Sequence, residues 1–157
     1  MHAKDILIDA YTRIQEEVHA AVEGLTLDDL HRRPGPDANS VAWLVWHLTR
    51  VQDDHVAGAF DLEQVWLTQD WEKRFGLDLK PHDIGYGHTS AQVAKVRVDS
   101  ADLLTGYYDA VHAQSIEALR GRTARVTGGS QRSSTTRSRS LAAMSRSRSS
   151  VRACTAS

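Results

Sequence analysis

The imidazoles are the side chains whose type and spacing point to chemistry in this sequence. His47 and His55 lie eight residues apart at the end of the run Asn39–His55, with Asp54 beside the second. Imidazole nitrogen suits divalent zinc, nickel or iron. A helical bundle can carry such a ligand on an inward face. His47 is therefore the candidate metal ligand, and a histidine hydrogen-bonded to a neighbour at the core or its edge is the competing reading. Eight residues of helix rise about 12 Å, too far for His47 and His55 to share one ion. No His-Glu-x-x-His pairing is present. Asp53 and Asp54 are expected together on a solvated edge, with a supporting role for Asp54 beside the site as the alternative.

The remaining reactive side chains are scattered. His82 and His88 flank a glycine loop, Gly85-Tyr86-Gly87, and read either as exposed loop positions or as ligand contacts at a bundle mouth. His112 is given no role. Trp43 and Trp46 are expected to pack between helices, and Trp66 and Trp71 to cover a core edge, rather than line a substrate pocket. Tyr107 and Tyr108 belong to the core, with one hydroxyl free to reach a polar site. Cys154 is the only cysteine. It has no recognisable base nearby in sequence, so a catalytic thiol is not expected. An intrachain disulfide is impossible, which fits a cytoplasmic protein.

The elements that must position these residues are helices. Leu7, Tyr11, Ile14 and Val18 form an apolar stripe through residues 4–22, which Gly24 ends. A short helical turn is expected at Thr26–Leu30, and Pro34-Gly35-Pro36-Asp37 is a loop. Asn39 and Ser40 can cap the central helix, where Val41, Leu44, Val45, Leu48 and Val51 mark a face for burial as far as Ala59. Residues 61–80 read as a short helix and loop over one mouth of the bundle. Lys80–His88 is a loop, and a brief helix can start at Thr89–Val93. Ser100 opens the third long helix, whose inward face (Leu103 to Ile116) carries it to Leu119. No run approaches the roughly 20 apolar residues of a membrane span, and no secretory signal is expected.

Composition changes abruptly at Arg120. All 20 acids precede it, against ten Lys and Arg, so residues 1–119 carry a net −10. Residues 120–157 hold nine arginines and no acid. The expected division is a helical domain at 1–119 and an Arg/Ser-rich tail at 120–157, too poor in large apolar residues to fold by itself. A basic-tailed nucleic-acid binder is the less favoured alternative function, because the tail has no aromatic side chain to stack on bases. Arg, Ser, Thr, Ala and Gly codons dominate when a GC-rich gene is read out of frame, so the tail has the character of a frameshifted final helix. Translation of the other two frames should show an amphipathic segment containing histidine; its absence from both would dismiss the idea.

The stretches Ala3-Lys4-Asp5-Ile6-Leu7 with Arg13-Ile14, Asn39 to His55, Gly85-Tyr86-Gly87-His88, and Leu103 to Val111 carry a family pattern. Over residues 3–119 the chain resembles the DinB-like metal-binding four-helix-bundle superfamily. Within it, the pattern is similar to the actinobacterial branch of mycothiol-dependent enzymes, which includes the N-terminal domain of mycothiol-dependent maleylpyruvate isomerase. The resemblance implies an all-α, up-down four-helix bundle, here with its fourth helix missing or degraded. It implies a metal-dependent transferase or isomerase that uses a small-molecule thiol, mycothiol, against an electrophilic substrate. It also implies a divalent metal with His47 as one ligand. The other ligands of that family come from the final helix, as a histidine pair or a His followed by Gly-Gln. No histidine follows His112 in this chain, so those ligands are missing and the enzyme can be inactive. The alternative is a non-catalytic helical protein, such as a homodimer, whose apolar faces meet a partner in place of the fourth helix.

Overall fold

The computed structural model describes residues 2–127. Among them are seven helices and no strand: α1 (Ala3–Val22), α2 (Leu27–His31), α3 (Val41–Phe60), α4 (Val65–Thr68), α5 (Trp71–Phe75), α6 (Ser90–Val93) and α7 (Ala101–Thr127). The all-α class agrees with the sequence. The Arg/Ser segment from 128 onward and Cys154 lie outside the described residues. The expected boundary at Leu119–Arg120 falls inside α7, which continues to Thr127.

Local chemistry places the helix ends. The Ser40 hydroxyl accepts the Trp43 N–H at 3.2 Å and starts α3. Thr26 and Asp29 cap α2 reciprocally, Thr89 and Gln92 do the same for α6, and Ser100 accepts from the Leu103 N–H at 3.2 Å. These side chains satisfy N–H groups that a first helical turn leaves unpaired. Gly24 takes a left-handed φ of 71° just past α1, which glycine adopts without steric cost.

Side-chain bonds fix the directions of the long helices. Gln15 and His19 of α1 both reach Asp109 of α7, at 2.7 and 2.8 Å. Between α3 and α7, Arg50 meets Tyr107, Gln52 meets Tyr108 and Ser115, and the Glu63 carbonyl just past α3 meets Gln114. The helices α3 and α7 therefore run in the same sense; α1 runs against both, since its C-terminal end, from His19 to Glu23, lies by the start of α7 at Ala101, Asp102 and Thr105. The order is up, down, down, rather than strict alternation, because residues 61–100 form a crossover long enough to return the chain to its starting end. Both α1 and α3 pack mainly on α7 and only lightly on each other.

The buried face of α3 differs from the expected one. Trp46, Thr49, Arg50 and Asp53 are at most 1% exposed, while Leu44 and Leu48 are 49% and 41% exposed. Asp53, expected on a solvated edge, is fully buried. Its carboxylate accepts the N–H groups of Val65 and Trp66, both at 2.8 Å, and the Tyr107 hydroxyl at 2.8 Å. Arg50 lies 3.5 Å away and also donates to Gln64 at 3.0 Å and to the carbonyls of Pro81 and Asp83. Burial, with Asp53 alongside, pushes the Tyr107 hydroxyl far above its ordinary pKa, so it stays a donor. Asp54 is the one of the pair nearer solvent, and it accepts from Gln64 at 2.7 Å.

Removing one partner of a buried pair strands the other charge. Asp53→Ala should lower the unfolding free energy by about 3–5 kcal/mol, read from urea denaturation; a loss under 1 kcal/mol would show that Arg50 is satisfied without it. A second expectation concerns pH. Burial, then the Arg97 guanidinium, lowers the His31 pKa, and the Val98 N–H donates to its Nε2 at 3.0 Å. The unfolded chain thus binds this proton more readily, so stability is present above an unfolded pKa of about 6.5 and declines as pH falls below it. Melting temperatures at pH 7.5 and 5.5 should differ less in His31→Gln than in the parent.

Candidate functional site

The first half of α3 sets three rings side by side with a fourth from the following loop. Trp43 stacks on His47, with ring centres 4.5 Å apart and planes at 21°. Trp46 stacks on His88 at 5.9 Å and 20°. Positions 43, 46 and 47 share one side of a helix, which brings them together before any tertiary contact is made.

The loop after Lys80 completes the arrangement. The Trp43 indole N–H donates to His88 Nδ1 at 3.1 Å, so the neutral His88 ring carries its proton on Nε2 and gives it to Asp83 at 2.9 Å. Asp83 also accepts the Gly85 N–H at 2.8 Å. Burial alone would raise the Asp83 carboxyl; the Gly85 N–H, His88 and Arg50 outweigh it and hold it below the usual carboxylate range. Gly85 itself is buried at φ 86°, and a Cβ there would sit 2.9 Å from both His47 and Trp46. Only glycine lets the backbone lie this close to the rings. That approach delivers the Ile84 carbonyl to His47 Nδ1. A carbonyl can only accept, so Nδ1 carries the proton and Nε2 keeps its lone pair in the neutral ring.

His47 lines an open groove between α1 and α3 of about 510 Å³. Ile14, Val18 and Ala21 form one wall and Leu44, Leu48 and Val51 the other. Glu17 is the only other ionisable side chain among the described residues that line it. Of the stripe expected to be buried, Val45 is, while Leu44, Leu48 and Val51 form one wall of the groove.

The other candidate residues stand apart from this site. His55 is exposed and donates to the Val51 carbonyl at 2.7 Å. His82 is exposed. His112 stacks on Tyr108, and burial lowers its pKa. Trp66 and Trp71 are buried with Phe75 against Tyr107, as core. The sequence left His88 as an exposed loop position or a ligand contact at the bundle mouth; its side chain is 3% exposed. The bonds from Ile84, Asp83 and Gly85 had one legible signal, a glycine two residues after an acid in a proline-bounded loop.

A resident divalent ion at His47 needs three or four ligands. His47 offers one nitrogen and Glu17 the nearest carboxylate along the groove. No group of three His, Cys, Asp or Glu able to hold a metal ion exists among the described residues. The sequence after Glu117 adds only Cys154 to the inventory of such side chains. The donor set of this chain alone does not fit a tightly held metal.

Gly85→Ala should destabilise the fold by about 1–3 kcal/mol, since it forces a side chain into a left-handed backbone against two rings. The hydrogen-bonded Nδ1–H resonance of His47 should broaden or vanish in the same variant; a parent-like resonance would show that the loop holds His47 without this close approach.

The comparisons with known proteins agree with this fold. A family model described as the DinB superfamily matches residues 10–144. A solved structure, described as the crystal structure of the conserved protein of locus from Enterococcus faecalis, is similar with a TM-score of 0.71. It is 28% identical and the match covers 76% of this chain and 71% of that one. No curated protein matches the chain.

Proposed function

The chain belongs to the DinB superfamily, and from that premise we propose that its α1/α3 groove binds a small molecule with an apolar body and a thiol or hydroxyl head held against His47. The observation that carries this reading is the bond from His47 Nδ1 to the Ile84 carbonyl. It fixes the ring and leaves Nε2 as an acceptor on the wall of an apolar groove. The groove volume falls within the range of small-ligand sites.

A low-molecular-weight thiol of the mycothiol kind is the substrate class to which the family resemblance leads. The chemistry follows from the residue itself. The Nε2 lone pair accepts the S–H proton; the sulfur, gaining thiolate character, adds to the electrophilic carbon of a polarised double bond in a second molecule, and the π pair displaced to the far end of that bond takes the proton back from Nε2. Trp43 and the Asp83–His88 pair hold the imidazole plane; Leu44 and Leu48 contact the apolar body. In this reading His47 is the base, and no metal takes part in the step. A single observation favours a metal-assisted variant: an imidazole whose other N–H is tied to a backbone carbonyl is posed as metal ligands commonly are.

Tryptophan emission during titration with mycothiol, in metal-free buffer and with added zinc, tests both readings. The expected result is saturable binding without metal that weakens at least tenfold in His47→Ala and not in His55→Ala. Equal binding by His47→Ala would overturn the site. Binding that requires stoichiometric zinc would favour the metal-assisted variant.

A further inference from the structure

We propose that His88 is a proton-operated gate on the His47 site: a proton on its Nδ1 drives Trp43 off, and His47 loses the ring that holds its plane. This deepens the ligand reading of the groove and rests on it for its consequence, since the site takes its ligand only while His88 is neutral. The gate itself is measurable without a ligand.

Each partner of His88 has a fixed role. The Trp43 indole N–H can only donate, and it meets Nδ1 at 3.1 Å. Nδ1 therefore carries the lone pair, and Nε2 carries the proton that goes to the Asp83 carboxylate at 2.9 Å. The one ring position open to a further proton is the one Trp43 occupies. In the imidazolium both nitrogens are donors. Nδ1–H and the indole N–H would then face each other where an acceptor is required. The His88 side chain is 3% exposed and Trp43 7% exposed, so bulk water does not replace the lost partner in place, and a buried donor without an acceptor is costly.

Asp83 makes the imidazolium attainable. The Gly85 N–H, His88 and Arg50 together hold its carboxyl below the usual carboxylate range despite burial. It is thus still ionised where histidines titrate, and it stays bonded to Nε2–H. Among the described residues, the charged or titratable groups around His88 are Asp83 in its own loop and, from α3, Arg50 behind Asp83 and His47 beyond Trp43.

The movement reaches His47 because Trp43 touches both histidines. Its ring is stacked 4.5 Å from His47 and lies 6.1 Å from His88. His88 is also held by Asp83 and by its stack on Trp46, which is 1% exposed. Trp43 lies in the first turn of α3, so it is the partner that gives way.

Nuclear magnetic resonance of the full chain between about pH 8 and 5 tests the gate. The Trp43 indole N–H resonance should move upfield as its bond is lost, with the same midpoint as the carbon-bound ring protons of His88, while circular dichroism holds. His88→Gln cannot titrate, yet its amide oxygen can accept from Trp43 and its nitrogen can donate to Asp83. In that variant the Trp43 resonance should stay in place. A resonance unmoved in the parent, or moving alike in both chains, overturns the proposal. So does a midpoint different from that of His88, a comparison that holds even where the variant does not fold. Loss of helical signal at the same pH overturns it too, since the change would then be global unfolding. Mycothiol affinity should fall more steeply with pH in the parent than in His88→Gln, which keeps only the titration of His47 at the site; an equal fall in both would sever the gate from the site and overturn the proposal. No mycothiol binding at any pH removes the ligand reading, and the Trp43 resonance then decides the gate alone.

Discussion

The buried pair of Arg50 and Asp53 is the interaction on which the rest of the structure depends. Taking two charges out of water costs several kcal/mol each, so the pair persists only because nearly every polar atom is answered. Asp53 receives two backbone N–H groups at the start of α4 and a hydroxyl from α7. Arg50 reaches forward to the carbonyls of Pro81 and Asp83. Three separate segments are thereby tied to one turn of α3. Asp83 and Ile84 follow directly from the anchored carbonyls, so the posture of His47 is set by a charge pair one turn further along the same helix.

Much of this architecture was legible in the sequence, and what was missed has a common cause. Caps at Ser40, Thr89 and Ser100 announce helices through local hydrogen bonds, and all three are found. Periodicity found α1, α3 and α7. It failed on which face of α3 is inward, because two apolar stripes compete there. The stripe through Trp46, Arg50 and Asp53 contains charges, and burial of a charge is decided by partners far away in sequence. The same reason hid His88: its partners, Trp43 and Asp83, come from a helix and a loop that only the folded chain brings together. His47 was found from its helix and its resemblance to a family pattern, while the bond that fixes its tautomer comes from a backbone carbonyl, which no residue type can signal.

The family match extends past Leu119 to Met144, across the point where acids disappear from the sequence. Residues 1–119 carry the −10 and the groove, and the segment that follows carries nine positive charges. A DinB-type scaffold with an intact central helix can thus present a histidine in an apolar setting without the ligand-bearing end the superfamily resemblance implies.

The parallel course of α3 and α7 has a bearing on how the molecule comes into being. The walls of the groove, α1 and α3, touch each other only lightly, and both are held by α7. The contacts that join them are long in sequence: Gln15 with Asp109, Arg50 with Tyr107, Gln52 with Ser115. During synthesis the first hundred residues therefore leave the ribosome before the helix that holds α1 and α3 together has been made. The last long helix acts as the closing element, and loop closure over such separations slows the search. Until it arrives, Asp53 and Arg50 lack the Tyr107 hydroxyl, and Trp66 lacks the Tyr107 ring it packs on.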